Sequence, residues 1–366
     1  MRNSSVQPTK QYKKMRKSLF DISWQVSEPE YRADPALSYS TLAKYERDGR
    51  FKALPTLFEH VSTPSLVFGS IVDTLMTGSE EEFRNNFVVL EDPGISDTLK
   101  EITLLLYSRF KNAHAFDEIP DAQLSEAGKE CDFYANDKYE ATRIKKIRES
   151  CKPYYNMLLI AEGKTVVSQE DIADARACVE ALKNGNVSKY FTDDPFGNSD
   201  IEGFYQLKFK GVDPLTGVEY RCMADRIIVN HAKKYILPID LKTSSHEEHE
   251  FFRSFTQWRY DIQARLYWRL IKQNIEKDEY FKDFKLLDYQ FIVVNRKTLT
   301  PLAWEFSLTQ ALGQLDIPTP SGYQYHLRDP YVIGKELREY LDNPRRVPFG
   351  INLDQPNNIV KYIENN

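Results

Sequence analysis

Apolar and polar residues alternate along the second half of the chain, which is the period of β-strands. Asp213 to Gly217 has the composition of a turn, and the polar segment 230–234 is short enough to join two strands as a hairpin. Strands are predicted at 202–209, 219–225, 235–242, 289–295 and 301–306. The last two would pair as a hairpin across 296–298.

Apolar residues recur at helical spacing in the first half of the chain and in a few later segments. Ser38 or Ser40 is a suitable N-cap for a helix that ends near Gly49. Further helices are predicted at 68–76, over most of 99–182, around Gln263 and at 331–341. The segment 28–30, Glu-Pro-Glu, is expected to break regular structure.

These elements predict an α/β (α+β) fold, in which a mixed central sheet is flanked by helices and an additional helical region precedes it. We expect a basic arm over 1–30, a single domain over 31–310 and an extension over 311–366. Within the domain, 31–195 would be the helical part and 196–310 the sheet that carries the chemistry.

Two carboxylates and an amine occupy the ends of two consecutive predicted strands. Asp225 ends one strand, while Asp240 and Lys242 lie two residues apart in the next and therefore project to the same side. Carboxylates that converge repel each other unless a positive group lies between them, and a hard divalent cation fits that need. Lys242 could then orient or activate a water molecule, as metal-assisted phosphodiester hydrolysis requires. The alternative is that these residues form an ordinary solvated strand edge.

The order of these residues resembles that of the PD-(D/E)XK nuclease superfamily, and within it the RecB-like branch. An Asp, an Asp/Glu-x-Lys and a helix with Gln-x-x-x-Tyr recur there in this order, and this chain has Asp225, Asp240-Leu241-Lys242 and Gln263 to Tyr267. The segments 37–45 and 68–76 also resemble the opening of RecE-type phage recombination exonucleases. The resemblance runs from about residue 38 to residue 295.

The resemblance implies a PD-(D/E)XK core and roles for several further residues. Asp225 and Asp240 would ligate Mg²⁺, for which Mn²⁺ could substitute, and Asp73 would complete the ligand set where relatives usually have a His. Asp73 could instead be a helix-face carboxylate paired with an Arg. Glu202 would be a supporting residue or a simple edge charge, and Gln263 and Tyr267 would either contact the site or only pack on the sheet.

Composition is typical of a globular protein, with 41% hydrophobic and 28% charged residues among 366. No apolar run is long enough for a membrane span, and the first five residues lack the apolar stretch of a signal peptide. We therefore expect a cytoplasmic protein, in the bacterial host if it is encoded by a phage. The four cysteines are scattered without close pairs, which argues against zinc and iron–sulfur sites.

The net charge of −5 says little about DNA binding, because a nuclease gathers acids at its centre and bases along its groove. Basic residues cluster locally, although each cluster could be only a solvated helix face. The clusters are Lys10, Lys13, Lys14, Arg16 and Lys17; Arg143, Lys145, Lys146 and Arg148; and Lys44, Arg47 and Arg50. The last group is predicted to hold a terminal phosphate, because relatives use basic residues on early helices for this purpose.

The resemblance predicts a Mg²⁺-dependent exonuclease that degrades linear double-stranded DNA from 5′ ends in phage-type recombination. It also implies a homo-oligomeric ring, trimeric or tetrameric, and a single-strand annealing protein as a partner. An aromatic side chain could separate the terminal base pair. The alternatives are another RecB-like endonuclease, a single-strand nuclease, or a DNA-binding relative that has lost activity.

Overall fold

A computed structural model describes residues 16–58, 63–78, 80–90, 94–111, 115–161, 163–191, 200–307, 315–318 and 324–343. Lys10, Lys13 and Lys14 of the expected basic arm lie outside these residues, as does most of the expected extension over 311–366. The chain divides into two compact units, one from 1–61 with 181–366 and the other from 62–180.

The described helices are α1 (Glu28–Ala33), α2 (Tyr39–Arg47), α3 (Pro64–Thr77), α4 (Glu80–Asn86), α5 (Asp97–Phe110), α6 (Asp121–Glu130), α7 (Glu140–Ala161), α8 (Gln169–Asn184), α9 (Phe251–Trp258), α10 (Tyr260–Glu276) and α11 (Pro330–Asp342). The described strands are β1 (Phe87–Val89), β2 (Thr165–Val167), β3 (Ile201–Val212), β4 (Glu219–Asn230), β5 (Tyr235–Ser244), β6 (Lys285–Leu286), β7 (Tyr289–Asn295), β8 (Leu302–Phe306), β9 (Leu315–Pro318) and β10 (Gln324–Leu327).

The first unit is built on a mixed sheet with the order β3-β4-β5-β7-β8, and β6 pairs with β5 beside β7. Strands β3, β4 and β5 form an antiparallel meander, after which β7 pairs with β5 in the parallel direction. A parallel pair needs a crossover connection, and here α9 and α10 provide it. The predicted α/β class, with a mixed central sheet flanked by helices, is therefore confirmed.

Helix α10 packs its apolar face on the sheet. Ile262, Leu266 and Leu270 are fully buried in one cluster with the strand residues Tyr220 and Cys222. These helix positions are four residues apart, so they form a single stripe along the helix. Burial of such side chains contributes about 1.5–3 kcal/mol each, so this packing fixes the height of α10 above the strands.

The predicted strands and the helices around residues 38–47, 68–76 and 263–267 are confirmed. The expected break at 28–30 is wrong, because α1 begins there. Ser27 and Glu30 form a reciprocal capping box, with the Ser27 Oγ accepting from the Glu30 N–H and the Glu30 side chain accepting from the Ser27 N–H. Pro29 sits in the first turn, where a proline costs the helix no hydrogen bond.

The second unit is mainly helical and has a core of its own. Ile102, Leu106, Ile147 and Tyr155 are fully buried in this core. Arg143 is also fully buried and donates to Ser125 Oγ at 2.6 Å. Part of the basic cluster predicted on α7 therefore stabilises the helical packing and does not face solvent.

The domain boundaries predicted from the sequence remain predictions, and the described residues add two facts to them. Most of the expected helical part falls within the second unit. The described part of the C-terminal extension belongs to the first unit, where Arg328 pairs with Glu46 of α2 and Asp329 pairs with Arg265 of α10. Among the described helices, none combines the length and apolar composition needed to cross a membrane.

A buried carboxylate joins the loop after β5 to the β7–β8 hairpin. Glu248 is 2% exposed and accepts from the backbone N–H groups of Asn295 and Thr300, both at 3.0 Å. The hydroxyl groups of Thr298 and Thr300 donate to its second oxygen. Burial favours the neutral form, but these hydrogen bonds outweigh it and lower the pKa of Glu248.

We expect Glu248→Ala to lower the free energy of unfolding by about 3 kcal/mol, because two buried N–H groups lose their acceptor. Urea unfolding at pH 7 measures this loss. Because the folded pKa of Glu248 is lowered, its contribution is present above the unfolded pKa near 4.5 and declines as pH falls through the folded pKa. An equal stability for Glu248→Ala and the wild-type protein at pH 7 would contradict this role.

Candidate functional site

Strands β4 and β5 part at the two aspartates. Their pairing runs from Asn230–Tyr235 to Arg226–Ile239 and ends there. The next step of this register would place Asp225 opposite Asp240. Beyond it, β5 continues to pair only with β7, and β4 continues with β3. The two carboxylates therefore lie where β4 and β5 separate. The sequence places Asp225 at the end of its strand, whereas β4 continues beyond it to Asn230.

The pairing of Asp225 with its other neighbouring strand, β3, is also irregular. The pairing of β3 with β4 includes Tyr205–Arg226 and Leu207–Ala224 but omits the step between them, which would join Gln206 to Asp225. Gln206 has φ +53°, a left-handed conformation that is uncommon for a residue with a side chain. Backbone strain of this kind concentrates at functional sites. No residue type in the sequence indicated it.

Asp240 is fully buried and is held from two sides. Gln263 of α10 donates from Nε2 to one of its oxygens, Oδ1. Lys242 Nζ forms an ion pair with the other oxygen, Oδ2, at 2.5 Å. Within the described residues, Gln263 Oε1 is buried without a hydrogen-bond donor.

Lys242 is the positive partner of this site and its side chain is 17% exposed. Burial alone would lower its pKa, but nearby acidic groups, with Asp240 first among them and Asp225 included, outweigh burial and raise the pKa. The ammonium also lies 4.7 Å from the ring centroid of Tyr260, a favourable cation–π arrangement. Lys242 is therefore a fixed cation across the neutral range of pH.

Asp225 is half-buried and reaches across the gap between the strands. Its Oδ2 accepts from the backbone N–H of Leu241 at 3.0 Å. Leu241 lies between Asp240 and Lys242 in the chain, so this bond holds the Asp225 carboxylate against the Asp-x-Lys segment. The structure thus brings together four of the predicted residues, Asp225, Asp240, Lys242 and Gln263.

Three tyrosines, two of them buried and Tyr39 partly buried, lie within electrostatic reach of Asp240. Burial is the main cause that raises the pKa values of Tyr39, Tyr267 and Tyr289, and the charge of Asp240 adds to the increase in each. Tyr267 packs edge-on against Tyr289, with ring centroids 6.3 Å apart. The described contacts of Tyr267 are those of a packing residue, whereas Gln263 contacts Asp240 directly. Tyr260 was missed, although its position one turn before Gln263 was a signal for it.

Glu202 stands apart from this group. Its register partner on β4 is Val229, four residues from Asp225, which corresponds to about 13 Å along a strand. Glu202 instead lies 3.0 Å from Arg16 and 3.1 Å from His231 Nε2. A supporting role for Glu202 at the carboxylate pair has no geometric basis.

The three cations predicted to bind phosphate have partners within the protein. Lys44 donates to the Thr56 carbonyl. Arg47 pairs with Asp48 at 2.7 Å and its guanidinium lies 4.8 Å from the ring centroid of Trp258. Arg50 lies 3.6 Å from Glu46 and 3.8 Å from Glu336.

Asp73 lies on α3, which belongs to the second compact unit. It is half-buried, with Ile71 and Val72 fully buried beside it. Its assignment as a metal ligand remains a prediction.

The chemistry of the four residues suits a hard cation. Asp225 and Asp240 supply carboxylate oxygens and Gln263 supplies an amide oxygen without a donor, which are the ligand types that Mg²⁺ and Mn²⁺ take. Among the described residues, no group of three or more His, Cys, Asp or Glu side chains is arranged to bind a metal. The donor set therefore depends on two carboxylates and a neutral amide.

Comparison of the sequence with models of protein families and with curated proteins gives no match in either case.

A double-mutant cycle tests whether the buried pair is held as described. Asp240→Asn or Lys242→Met alone leaves one charge without its partner, and we expect each to cost about 3 kcal/mol of unfolding free energy. The double variant should cost less than the sum by about 1 kcal/mol or more. Urea unfolding at pH 7 gives all four values. Additive effects would show that the two charges do not interact.

Proposed function

We propose that the chain is a Mg²⁺-dependent deoxyribonuclease of the PD-(D/E)XK superfamily, from its RecB-like branch. One observation carries this proposal: Asp225, Asp240, Lys242 and Gln263 meet where β4 and β5 part. Each is the residue type that the resemblance requires, in the required order. A solvated strand edge would leave Asp240 exposed, whereas it is fully buried.

The sheet supports the proposed PD-(D/E)XK core. Asp225 lies next to the last pair of the β4–β5 ladder, Arg226–Ile239, and Asp240 and Lys242 lie on β5. Gln263 follows on the helix that crosses to the parallel strand β7. With this order of elements, the four side chains lie close together where β4 and β5 separate.

Asp225, Asp240 and the Oε1 of Gln263 would hold the cation. When bound, Mg²⁺ supplies Lewis acidity and neutralises charge on the scissile phosphate. Lys242, whose pKa is raised, stays protonated at neutral pH and so stabilises negative charge that develops on the phosphate. It does not act as the base, because the charges of Asp240 and Asp225 keep it protonated. Tyr260 positions its ammonium from the side.

The substrate is proposed by resemblance to be linear double-stranded DNA, degraded from its 5′ ends. A homo-oligomeric ring and a single-strand annealing protein are proposed on the same ground. An endonuclease or a single-strand nuclease of the same branch would use the same four residues. Degradation of linear, nicked and closed circular duplexes in parallel separates these activities, because an exonuclease leaves the closed circle intact.

We expect Asp225→Asn to reduce hydrolysis of linear duplex DNA in Mg²⁺ by at least about 100-fold, because it removes a metal-binding charge at the reacting centre. Asp225 is half-buried, so the variant should fold. Glu202→Gln is the matched control, since Glu202 lies in another cluster, and it should retain activity. Full activity in Asp225→Asn, or equal losses in both variants, would contradict the proposal.

Asp73 is tested separately by magnesium titration. If Asp73 completes the ligand set, Asp73→Asn should raise the Mg²⁺ concentration at half-maximal activity by about tenfold, through loss of one anionic ligand. Asp73→His should keep activity with Mn²⁺, because an imidazole can replace a carboxylate as a ligand of this ion, although it binds less strongly. Titrations that superimpose on the wild type would remove Asp73 from the ligand set.

A further inference from the structure

Trp258 exposes a large aromatic surface at the end of α9. The residue is 40% exposed, while most aromatic residues of the same unit belong to its core. Covering an exposed indole with an apolar or aromatic partner is favourable, because it removes apolar surface from water. As the last residue of α9, it stands two residues before α10, the helix that carries Gln263.

The backbone around Trp258 is firmly held. Tyr39 Oη donates to the Trp258 carbonyl at 2.8 Å. The next residue, Arg259, has φ +56° and is fixed by Asp261 at 2.9 Å and by Glu46 at 3.3 Å. A left-handed conformation at Arg259 persists only when its surroundings maintain it. The backbone that carries the indole is therefore held in one conformation.

Arg47 lies against the indole from α2. Its guanidinium carbon is 4.8 Å from the ring centroid, and its side chain is 33% exposed. Asp48 Oδ1 accepts from Arg47 Nε at 2.7 Å, which orients the guanidinium plane. A cation and an aromatic face together are the elements that proteins use to stack nucleobases and to attract the adjacent backbone.

A short chain of contacts links this surface to the carboxylates. The rings of Tyr39 and Tyr260 are 6.2 Å apart, and Lys242 Nζ lies 4.7 Å from the Tyr260 ring. Trp258 and Arg47 thus belong to the same network of contacts as Lys242.

We propose that Trp258, supported by Arg47, is the platform on which a base of the DNA strand stacks as its phosphate enters the site. The proposal rests on the nuclease function and adds a binding residue to it. The occupant is a nucleobase because the surface is a single exposed indole with a cation, continuous with a site for a phosphodiester. Its role is binding, so it should affect affinity more than the chemical step.

The test uses the full chain in the Asp225→Asn background, which keeps the DNA intact. The probe is a linear duplex with 2-aminopurine at the 5′ terminus of one strand, compared with the same duplex labelled at its centre. Stacking quenches the fluorescence of this base. Variants are Trp258→Ala, Trp258→Phe and, as a control, Leu215→Ala, which truncates a 92% exposed side chain in the β3–β4 turn.

We expect Trp258→Ala to lose the binding-dependent quenching of the terminal probe and to bind the duplex end about tenfold more weakly, as loss of one stacked base predicts. Trp258→Phe should retain most of the quenching, and Leu215→Ala should match the parent. With Asp225 restored, Trp258→Ala should raise KM more than it lowers kcat.

Unchanged quenching and affinity in Trp258→Ala, while the wild-type chain still cleaves DNA, would overturn the platform and leave the nuclease standing. Loss of self-association in Trp258→Ala without any effect on DNA would also overturn it, by assigning the surface to a second copy of the chain. A wild-type chain that neither binds nor cleaves DNA in Mg²⁺ or Mn²⁺ would remove the nuclease proposal and the platform with it.

Discussion

The ion pair between Asp240 and Lys242 is the constraint on which the arrangement of the site depends. A carboxylate that is fully removed from water costs several kcal/mol unless positive charge and hydrogen bonds surround it. Here the ammonium of Lys242 supplies the charge and Gln263 supplies a hydrogen bond. Because Gln263 lies on α10, this hydrogen bond also ties α10 to β5. The same interaction raises the pKa of Lys242.

The opening between β4 and β5 follows from this constraint. Asp225 cannot continue the pairing with β5 while its carboxylate accepts from the Leu241 N–H, so the ladder ends at Arg226. The strands then diverge, and Gln206 adopts its left-handed conformation on the far side of Asp225. A buried pair of this kind adds little to stability when compared with apolar packing. The proposed role in metal binding and phosphate chemistry accounts for a buried pair at this position.

Much of this could be predicted from the sequence, because alternation and spacing are local signals. The strands, the shared side of Asp240 and Lys242, and the helix with Gln263 all follow from periods of two and 3.6 residues. Other features depend on contacts between distant segments and left no local pattern. The pairing of Arg16 and His231 with Glu202, the burial of Arg143 and the stacking of Arg47 on Trp258 are of this kind. The Glu-Pro-Glu segment was misjudged because a proline that breaks a helix interior is favourable in a first turn.

Asp225 and Asp240 are proposed to share one divalent cation, and the nuclease function depends on that shared ion. A crystal structure of the protein soaked in Mn²⁺, with anomalous diffraction recorded at the manganese edge, measures this directly. We predict one anomalous peak within about 2.0–2.5 Å of carboxylate oxygens from both residues. Density showing both carboxylates without a shared ion, at Mn²⁺ concentrations that saturate ordinary magnesium enzymes, would contradict it.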